Sequence, residues 1–244
     1  MTQTPHDAQR YHREFDQGMD GKYARVLERL AGAADVLELG CATGYFSDVL
    51  RARGHVVVGF EVDETAVEAC RSRGLVAYVA DLSAAHPLRA VEGRRFDAVL
   101  AMDVVEHLAY PGPLLDAVHG VLRPGGRLVV TGPNVAYWAV RMRLLFGRWT
   151  YERAGVMDET HLRWYTRRTW RELLMRHGFV VTADDTAEAM LPKDDWLRKI
   201  GVSDERLEAI RLKVARWFPT IFTTVFVFVA TPRMRDTAGS GKGA

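Results

Sequence analysis

The sequence of 244 residues has only two cysteines, Cys41 and Cys70, and no large excess of charge of either sign. Two cysteines cannot form a disulfide framework, and they fit a reducing compartment. Because 33 basic residues stand against 31 acidic ones, the net charge is only +2. No overall basic field therefore indicates nucleic-acid binding.

Long apolar runs are also absent from the sequence. The first fifteen residues lack the apolar region of a secretory signal, and the run around residues 225–230 is too short to span a bilayer. The sequence shows no cluster of metal-ligating residues. These absences predict a cytoplasmic protein with no membrane span and no metal.

Residues 36–44, which read Val-Leu-Glu-Leu-Gly-Cys-Ala-Thr-Gly, predict a buried strand that turns sharply into a helix. The small residues of this turn leave its backbone open to close approach by a ligand. A dinucleotide-binding motif would require its third glycine at position 45, where Tyr45 stands. Glu38 would repel a pyrophosphate but suits a ligand that carries an ammonium group.

The pattern Glu-x-Gly-x-x-x-Gly resembles motif I of the class I S-adenosylmethionine-dependent methyltransferases. Further stretches follow in the order of that family. Residues 55–63 form a second β-branched run with Glu61, which lies 21 residues after Gly40, and residues 75–80 are followed by Asp81. Residues 96–107 resemble the family's fourth-strand signature, and residues 122–131 resemble its helix-to-fifth-strand turn, in which Gly125 and Gly126 would end the helix.

The resemblance implies S-adenosylmethionine as the cofactor, S-adenosylhomocysteine as the product and a defined set of binding residues. Glu61 would accept both ribose hydroxyls, Asp81 would receive the adenine amino group, and the backbone of Leu82 would contact the ring. Ala42 departs from the family, in which a glycine is commoner, and its extra methyl group is expected to weaken binding only slightly. The expected cofactor-binding residues are Tyr11, Glu38, Gly40, Cys41, Ala42, Gly44, Glu61, Val62, Asp81, Leu82 and Met102.

Alternating strands and helices predict one α/β domain over residues 1–244, with a cofactor-binding core at 35–132. Five parallel strands are expected near 35–39, 56–61, 75–79, 96–101 and 127–131. A helix near 167–177 and a strand near 179–182 follow, and by resemblance a last strand near 223–230 inserts antiparallel beside the fifth. The fold class is therefore a Rossmann-like methyltransferase fold with a seven-stranded, mostly parallel sheet, helices on both faces and helical cap segments.

Three segments lie outside that minimal fold. Residues 9–30 are interpreted as a lid over the cofactor or as a packing helix at the sheet edge. Residues 135–165 carry an apolar helical face that forms either core or the wall of a substrate pocket. Residues 203–217 predict a helix capped by Ser203, which would serve as a lid or as a contact in a homodimer.

Methyl transfer depends mainly on holding the acceptor against the methyl group, and a base is needed only when the acceptor must lose a proton. His107 and His161 are the candidate bases, because histidine titrates near neutral pH. Each also has a structural interpretation. Because His161 lies in a His-Leu-Arg pattern that resembles one found before the late helix of related small-molecule enzymes, we expect a small-molecule partner. We favour methylation of an oxygen over a nitrogen, because the two histidines offer a base for a hydroxyl.

Two alternatives remain from the sequence. Arginines at 141–153 interleaved with Trp149 and Tyr151 would suit a nucleic-acid methyltransferase. The fourth strand, however, is not followed by the Asn/Asp-Pro-Pro-Tyr/Phe tetrad that amino-methylating nucleic-acid enzymes use. The other alternative is a module that binds S-adenosylmethionine without catalysis.

Overall fold

The computed structural model describes residues 21–192 and 194–233, without the side chain of Asp195. Seven strands form one sheet. Their bounds are β1 Asp35–Leu39, β2 Val56–Glu61, β3 Val76–Val79, β4 Phe96–Met102, β5 Leu122–Pro133, β6 Phe179–Ala189 and β7 Thr223–Pro232. The helices are α1 Lys22–Leu30, α2 Tyr45–Ala52, α3 Glu64–Ser72, α4 Gly112–Val121, α5 Trp138–Leu145, α6 Arg167–Arg176, α7 Asp194–Lys199, α8 Asp204–Trp217 and α9 Pro219–Phe222.

The strand order is β3-β2-β1-β4-β5-β7-β6. Strands β1 to β5 pair in parallel, and β7 runs antiparallel between β5 and β6. The predicted seven-stranded sheet and the antiparallel last strand beside the fifth are confirmed. The strand order reverses between β1 and β4, and in open α/β sheets ligands bind outside the carboxyl ends of the strands at this point.

Helices cover both faces of the sheet because each strand buries apolar side chains in both directions. On one face, Val26 and Leu30 of α1 and Phe46 and Leu50 of α2 are fully buried. On the other face, α4 and α6 bury a larger cluster, in which Trp170 is the largest side chain. Two hydrophobic layers therefore hold the carboxyl edge of the sheet rigidly in place.

The chain between α4 and β5 differs from the prediction that Gly125 and Gly126 end the helix. Helix α4 ends at Val121, and both glycines lie within the irregular start of β5. Pro124 explains the early end, because proline has no backbone N–H and disfavours helical geometry in the residue before it. The register shifts here, since Leu122 pairs with Phe96 and Arg127 pairs with Ala98.

Strand β6 is longer than the predicted 179–182. It continues to Ala189 because β7 offers a partner along its whole length, and Ala189 pairs with Thr223. The sequence pattern did not predict this extension, because the second half of β6 is rich in polar residues.

Helix α5 forms within residues 135–165, but its predicted apolar face is not core. Met142 and Leu145 are 44% and 73% exposed, and the buried residue of the helix is Val140. Val140 packs with Val156 and Met157 in a small separate cluster, which fixes the rotation of the helix.

The other two predicted segments have distinct outcomes. Helix α8 begins as predicted, because the Ser203 hydroxyl oxygen accepts the backbone N–H of Arg206 at 3.4 Å. Residues 9–20 lie outside the described residues, whereas α1 packs on the sheet. No helix among the described residues is both long enough and apolar enough to cross a bilayer.

Candidate active site

The sheet register brings the predicted cofactor residues to one edge. Glu38 of β1 aligns with Gly59 of β2, and Glu61 at the end of β2 aligns with Val79 at the end of β3. Asp81 follows β3 by two residues. The carboxyl ends of three neighbouring parallel strands therefore present their acidic residues at the same edge.

The turn after β1 needs small residues at its first and last positions. Gly40 and Gly44 have φ angles of 70° and 79°, which favour glycine. A Cβ atom at Gly40 would lie 2.8 Å from the Val104 side chain, and one at Gly44 would lie 2.5 Å from Leu75. Ala42 adopts a φ angle of 47°, which is uncommon for a residue with a side chain.

The Glu61 carboxylate organises this turn. It accepts the backbone N–H groups of Ala42 at 2.9 Å, Val62 at 2.7 Å and Asp63 at 3.2 Å. A carboxylate has about four lone-pair sites, so Glu61 can accept a further ligand hydroxyl. The residue predicted to bind the ribose therefore also holds the turn predicted to contact the cofactor.

Glu38 is buried beneath the same turn, with 2% of its surface exposed. The Ser47 hydroxyl of α2 donates a hydrogen bond to its carboxylate. Burial raises the pKa of Glu38 to about 8, partly offset by the Ser47 hydrogen bond. An approaching ammonium group would favour the charged carboxylate.

The remaining predicted cofactor residues lie at the ends of β2, β3 and β4. Asp81 accepts the Ser83 N–H at 2.8 Å and the Ser83 hydroxyl at 2.6 Å through one oxygen. Val62 is 48% exposed, Leu82 packs partly into the core, and Met102 is the last residue of β4. Tyr11 lies outside the described residues.

The two candidate bases, far apart in sequence, lie side by side. The rings of His107 and His161 meet edge to face, with centroids 4.8 Å apart. The segment carrying His161 is docked by two hydrogen bonds, from the N–H groups of Leu162 and Arg163 to the Glu106 carbonyl, at 2.9 and 3.0 Å. Burial lowers the pKa of both histidines, so each is uncharged at neutral pH and able to accept a proton.

Glu106 joins this histidine pair. Its side chain is fully buried, and neither carboxyl oxygen has a hydrogen-bond partner among the described residues. Burial raises the pKa of Glu106 well above its ordinary value. Potential ligand atoms of Glu106, His107 and His161 lie within 4.8 Å of one another. Among the described residues, this is the group that could hold a metal ion. The spacing of these residues in the sequence did not predict the group.

Sequence reasoning also missed an ion pair at this edge. The Lys22 ammonium of α1 contacts the carboxylate of Asp103, which directly follows β4 and has a φ angle of 52°. The Thr131 hydroxyl donates to Asp103 at 2.9 Å. Asp103 lies within a stretch whose family pattern was recognised, but nothing local in the sequence marks Lys22 as its partner.

A protein-family comparison decides the classification. The family model described as a methyltransferase domain matches residues 11–184, which is more than half of the chain. The chain belongs to the class I S-adenosylmethionine-dependent methyltransferase family. This confirms the predicted family and fold class.

Relatives of this methyltransferase include ubiquinone biosynthesis O-methyltransferases. That of Xylella fastidiosa strain 9a5c is 32% identical over 108 residues, covering 43% of this chain and 44% of the relative. That of Nitrobacter winogradskyi is 34% identical over 126 residues, covering 50% and 45%. The matched region thus spans less than half the length of these relatives.

Solved structures share the fold at low identity. A methyltransferase from Archaeoglobus fulgidus superposes with a TM-score of 0.58 at 19% identity, covering 85% of this chain and 90% of that chain. The Burkholderia thailandensis 1,6-didemethyltoxoflavin-N1-methyltransferase, solved with bound 1,6-didemethyltoxoflavin and S-adenosylhomocysteine, superposes with a TM-score of 0.53 at 17% identity, covering 86% of this chain and 76% of that chain.

Proposed function

We propose that this methyltransferase transfers the methyl group of S-adenosylmethionine to an oxygen of a small-molecule acceptor. The observation that carries the proposal is the joint placement of the turn at residues 40–44, the Glu61 carboxylate and the histidine pair around one edge of the sheet. The names of the ubiquinone biosynthesis relatives support an oxygen acceptor.

The chain offers a complementary group for each part of the cofactor. Glu38 would pair its carboxylate with the ammonium, Glu61 would accept from the ribose hydroxyls, and Asp81 would use its second carboxylate oxygen for the adenine amino group. When bound, the cofactor supplies the electrophilic methyl group. The other described residues of the predicted set would shape the cradle around it.

The acceptor hydroxyl must lose its proton as its oxygen attacks the methyl carbon. His107 or His161 takes that proton, because both imidazoles are uncharged at neutral pH. Partial burial of the pair limits competition from water. No step requires a metal, although Glu106 and the two histidines would suit one.

We further propose that residues 1–244 act as one domain, with residues 35–132 as the cofactor core and 135–165 as the substrate wall. Helix α8, within residues 203–217, is the accessory element. The Arg163 guanidinium supports the assignment of the wall, because it donates to the Ala109 carbonyl at 2.9 and 2.6 Å and so ties the wall to the chain just after His107.

The arginine-rich stretch favours a small acceptor over nucleic acid. Arg143 pairs with Glu152 at 2.5 Å, and Arg141 binds the Ala136 carbonyl. Trp149 packs against Trp164 with ring centroids 5.4 Å apart. Arg141, Arg143 and Trp149 therefore have partners within the chain, whereas Trp149 and Tyr151 stay 39% and 53% exposed.

Transfer of tritium from labelled S-adenosylmethionine tests the function. The protein is incubated with catechol and quinol acceptors, with a metabolite extract and with tRNA. Label in a small-molecule fraction supports the proposal if it resists alkali and is released as methyl iodide by hydriodic acid, as expected for an O-methyl ether. Label in tRNA alone, or binding of S-adenosylhomocysteine with no transfer to any acceptor, would contradict it.

A further inference from the structure

The two cysteines of the chain meet beneath the cofactor turn. Cys41 lies in the turn after β1, and Cys70 lies in the last turn of α3. Their sulfur atoms lie 3.8 and 3.3 Å from the same acceptor, the carbonyl oxygen of Ala42. Both side chains belong to one small buried cluster. Two cysteines far apart in sequence therefore pack around the same carbonyl group.

Two glycines leave the space that the sulfur atoms occupy. A Cβ atom at Gly59 would lie 2.6 Å from the Cys41 sulfur, and a Cβ atom at Gly44 would lie 2.9 Å from the Cys70 sulfur. The pair therefore fills the gap between the turn, the neighbouring strand β2 and helix α3. A change in the distance between the two sulfur atoms has to move one of these backbones.

Ala42 transmits such a change to the cofactor residues. Its N–H is held by Glu61 at 2.9 Å, while its carbonyl faces both thiols. A disulfide would remove the Cys70 S–H donor, now 3.3 Å from that carbonyl, and would bring the Cys41 sulfur of the turn closer to α3. Because Ala42 already has a φ angle of 47°, it has little freedom to adjust.

We propose that Cys41 and Cys70 form a reversible disulfide when a peroxide oxidises them, and that this bond weakens cofactor binding. This inference rests on the proposed function, because it assigns the turn at residues 40–44 to the cofactor. The switch acts on affinity for S-adenosylmethionine and leaves the histidine pair untouched.

The oxidation has two balanced steps. The Cys70 thiolate attacks one oxygen of hydrogen peroxide, the O–O bond breaks, and hydroxide leaves, which gives a sulfenic acid. The Cys41 sulfur then attacks the Cys70 sulfur, the S–O bond breaks, and water leaves with the Cys41 proton. Overall, two thiols are oxidised, one peroxide is reduced and two waters form.

The surroundings assign the attacking role to Cys70. A hydrogen bond from Cys41 and the nearby Arg73 guanidinium lower the pKa of Cys70 despite burial. Cys41 has a raised pKa, because it donates to Cys70 and is buried. Both side chains are at most 2% exposed, so reaction requires opening of the turn and is slower than at an exposed thiol.

The test compares the purified protein before peroxide, after peroxide and after later reduction with dithiothreitol. Trypsin mapping of alkylated samples should show peptides 30–51 and 54–71 joined only in the oxidised sample. Calorimetry with S-adenosylhomocysteine should show a loss of affinity of about 5- to 150-fold, the usual range of coupling between sites, restored by reduction. By reciprocity, S-adenosylhomocysteine should slow disulfide formation.

Cys70→Ser provides the matched variant, and its affinity should not respond to peroxide whatever its starting value. If that variant does not fold, the wild-type protein is sufficient. Recovery of its S-adenosylhomocysteine affinity on reduction with dithiothreitol would show that a reversible oxidation caused the loss. Oxidation to sulfinic acid without a joined peptide, or a joined peptide with unchanged affinity, would overturn the switch alone. Failure of the reduced protein to bind S-adenosylhomocysteine would overturn the proposed function instead.

Discussion

At the scale of single residues, Glu61 has two tasks that a substitution can separate. It holds three backbone N–H groups and is proposed to accept the ribose hydroxyls, whereas Asp81 holds only Ser83. Loss of a charge-assisted hydrogen bond costs roughly 1.5–3 kcal/mol. We expect Asp81→Ala to lose about that much S-adenosylhomocysteine affinity with an unchanged melting temperature. Glu61→Ala should lose at least as much affinity and also lower the melting temperature.

Isothermal titration calorimetry and thermal unfolding measure both quantities. Glu68→Ala is the control, because Glu68 is an exposed carboxylate on α3 near neither proposed contact. Wild-type affinity in both Asp81→Ala and Glu61→Ala would contradict the cofactor assignment.

Glu38 predicts a pH dependence of cofactor binding. Because the pKa of Glu38 is about 8 in the free protein, pairing with an ammonium below that pH requires release of one proton. We expect S-adenosylhomocysteine affinity to rise by about tenfold per pH unit from pH 6 towards pH 8. Calorimetry at several pH values should show this slope in the wild type and none in Glu38→Gln. A flat wild-type profile would mean that Glu38 stays in one protonation state on binding.

The same group gives a stability trend whose sign is fixed. The folded-state pKa of Glu38 lies above its ordinary value of 4.5, so its neutral form stabilises the fold fully below about pH 4.5. That contribution decreases as pH rises through about 8. Between about pH 4.5 and pH 8, the free energy of unfolding of Glu38→Gln should therefore decrease less than that of the wild type.

The histidine pair can be resolved by rates. His107→Ala and His161→Ala should each leave S-adenosylhomocysteine affinity near wild type, because neither residue belongs to the proposed cofactor set. Loss of the general base should lower methyl transfer by about 100- to 10,000-fold, whereas loss of the other histidine should have a smaller effect. Initial-rate measurements on a confirmed acceptor distinguish them, and wild-type turnover in both variants would remove the pair from the mechanism.

At the scale of helices and strands, close packing between α6 and β5 is testable. A Cβ atom at Gly132 would lie 2.1 Å from the fully buried Trp170 ring, whose indole N–H binds the Pro133 carbonyl at 3.2 Å. We expect Gly132→Ala to lower the free energy of unfolding by about 1–3 kcal/mol, the usual cost of overpacking. Urea denaturation measures it.

Gly120→Ala is the matched control on α4. A Cβ atom there meets no atom within 4 Å, so the substitution should stabilise the helix by roughly 0.5–1 kcal/mol. Equal effects of the two substitutions would contradict the packing explanation.

The elements that could be predicted from sequence are those with strong local signals. Strands β1 and β2 have their predicted bounds because β-branched and apolar runs mark them locally. The length of β6 depends on pairing with β7, and the rotation of α5 depends on contacts of Val140 with residues after position 155. Such long-range partners leave no local pattern.

At the scale of the whole molecule, the candidate site combines groups from distant parts of the chain. Motif spacing identified His107 and His161 as separate candidates, but only the fold places their rings 4.8 Å apart. Lys22 had no sequence signal, because its partner Asp103 lies 81 positions away. Which charged residues pair across the sheet depends on how the strands and helices are arranged. Local sequence motifs do not give that arrangement.

The Lys22–Asp103 ion pair ties α1 to the carboxyl edge of the sheet. Their side chains are 16% and 35% exposed, so removing one partner leaves a partly buried charge. Solvent screening reduces the cost, and we expect Lys22→Met to lose about 1–3 kcal/mol of unfolding free energy. Arg25→Met, which removes an exposed pair with Glu28 on the same helix, should lose no more than about 1 kcal/mol.

A double-mutant cycle with Asp103→Asn separates the ion pair from packing of the Lys22 stem. If the charges interact, the double variant should be more stable than the sum of the single losses implies, by about 0.5–3 kcal/mol. The pKa of Asp103 is lowered by Lys22 and Thr131 despite burial, so the coupling should be present at neutral pH and vanish as acid protonates Asp103. Urea denaturation at neutral and acidic pH measures the cycle. Strict additivity at neutral pH would show that the Lys22 and Asp103 charges do not contribute to holding α1 on the sheet.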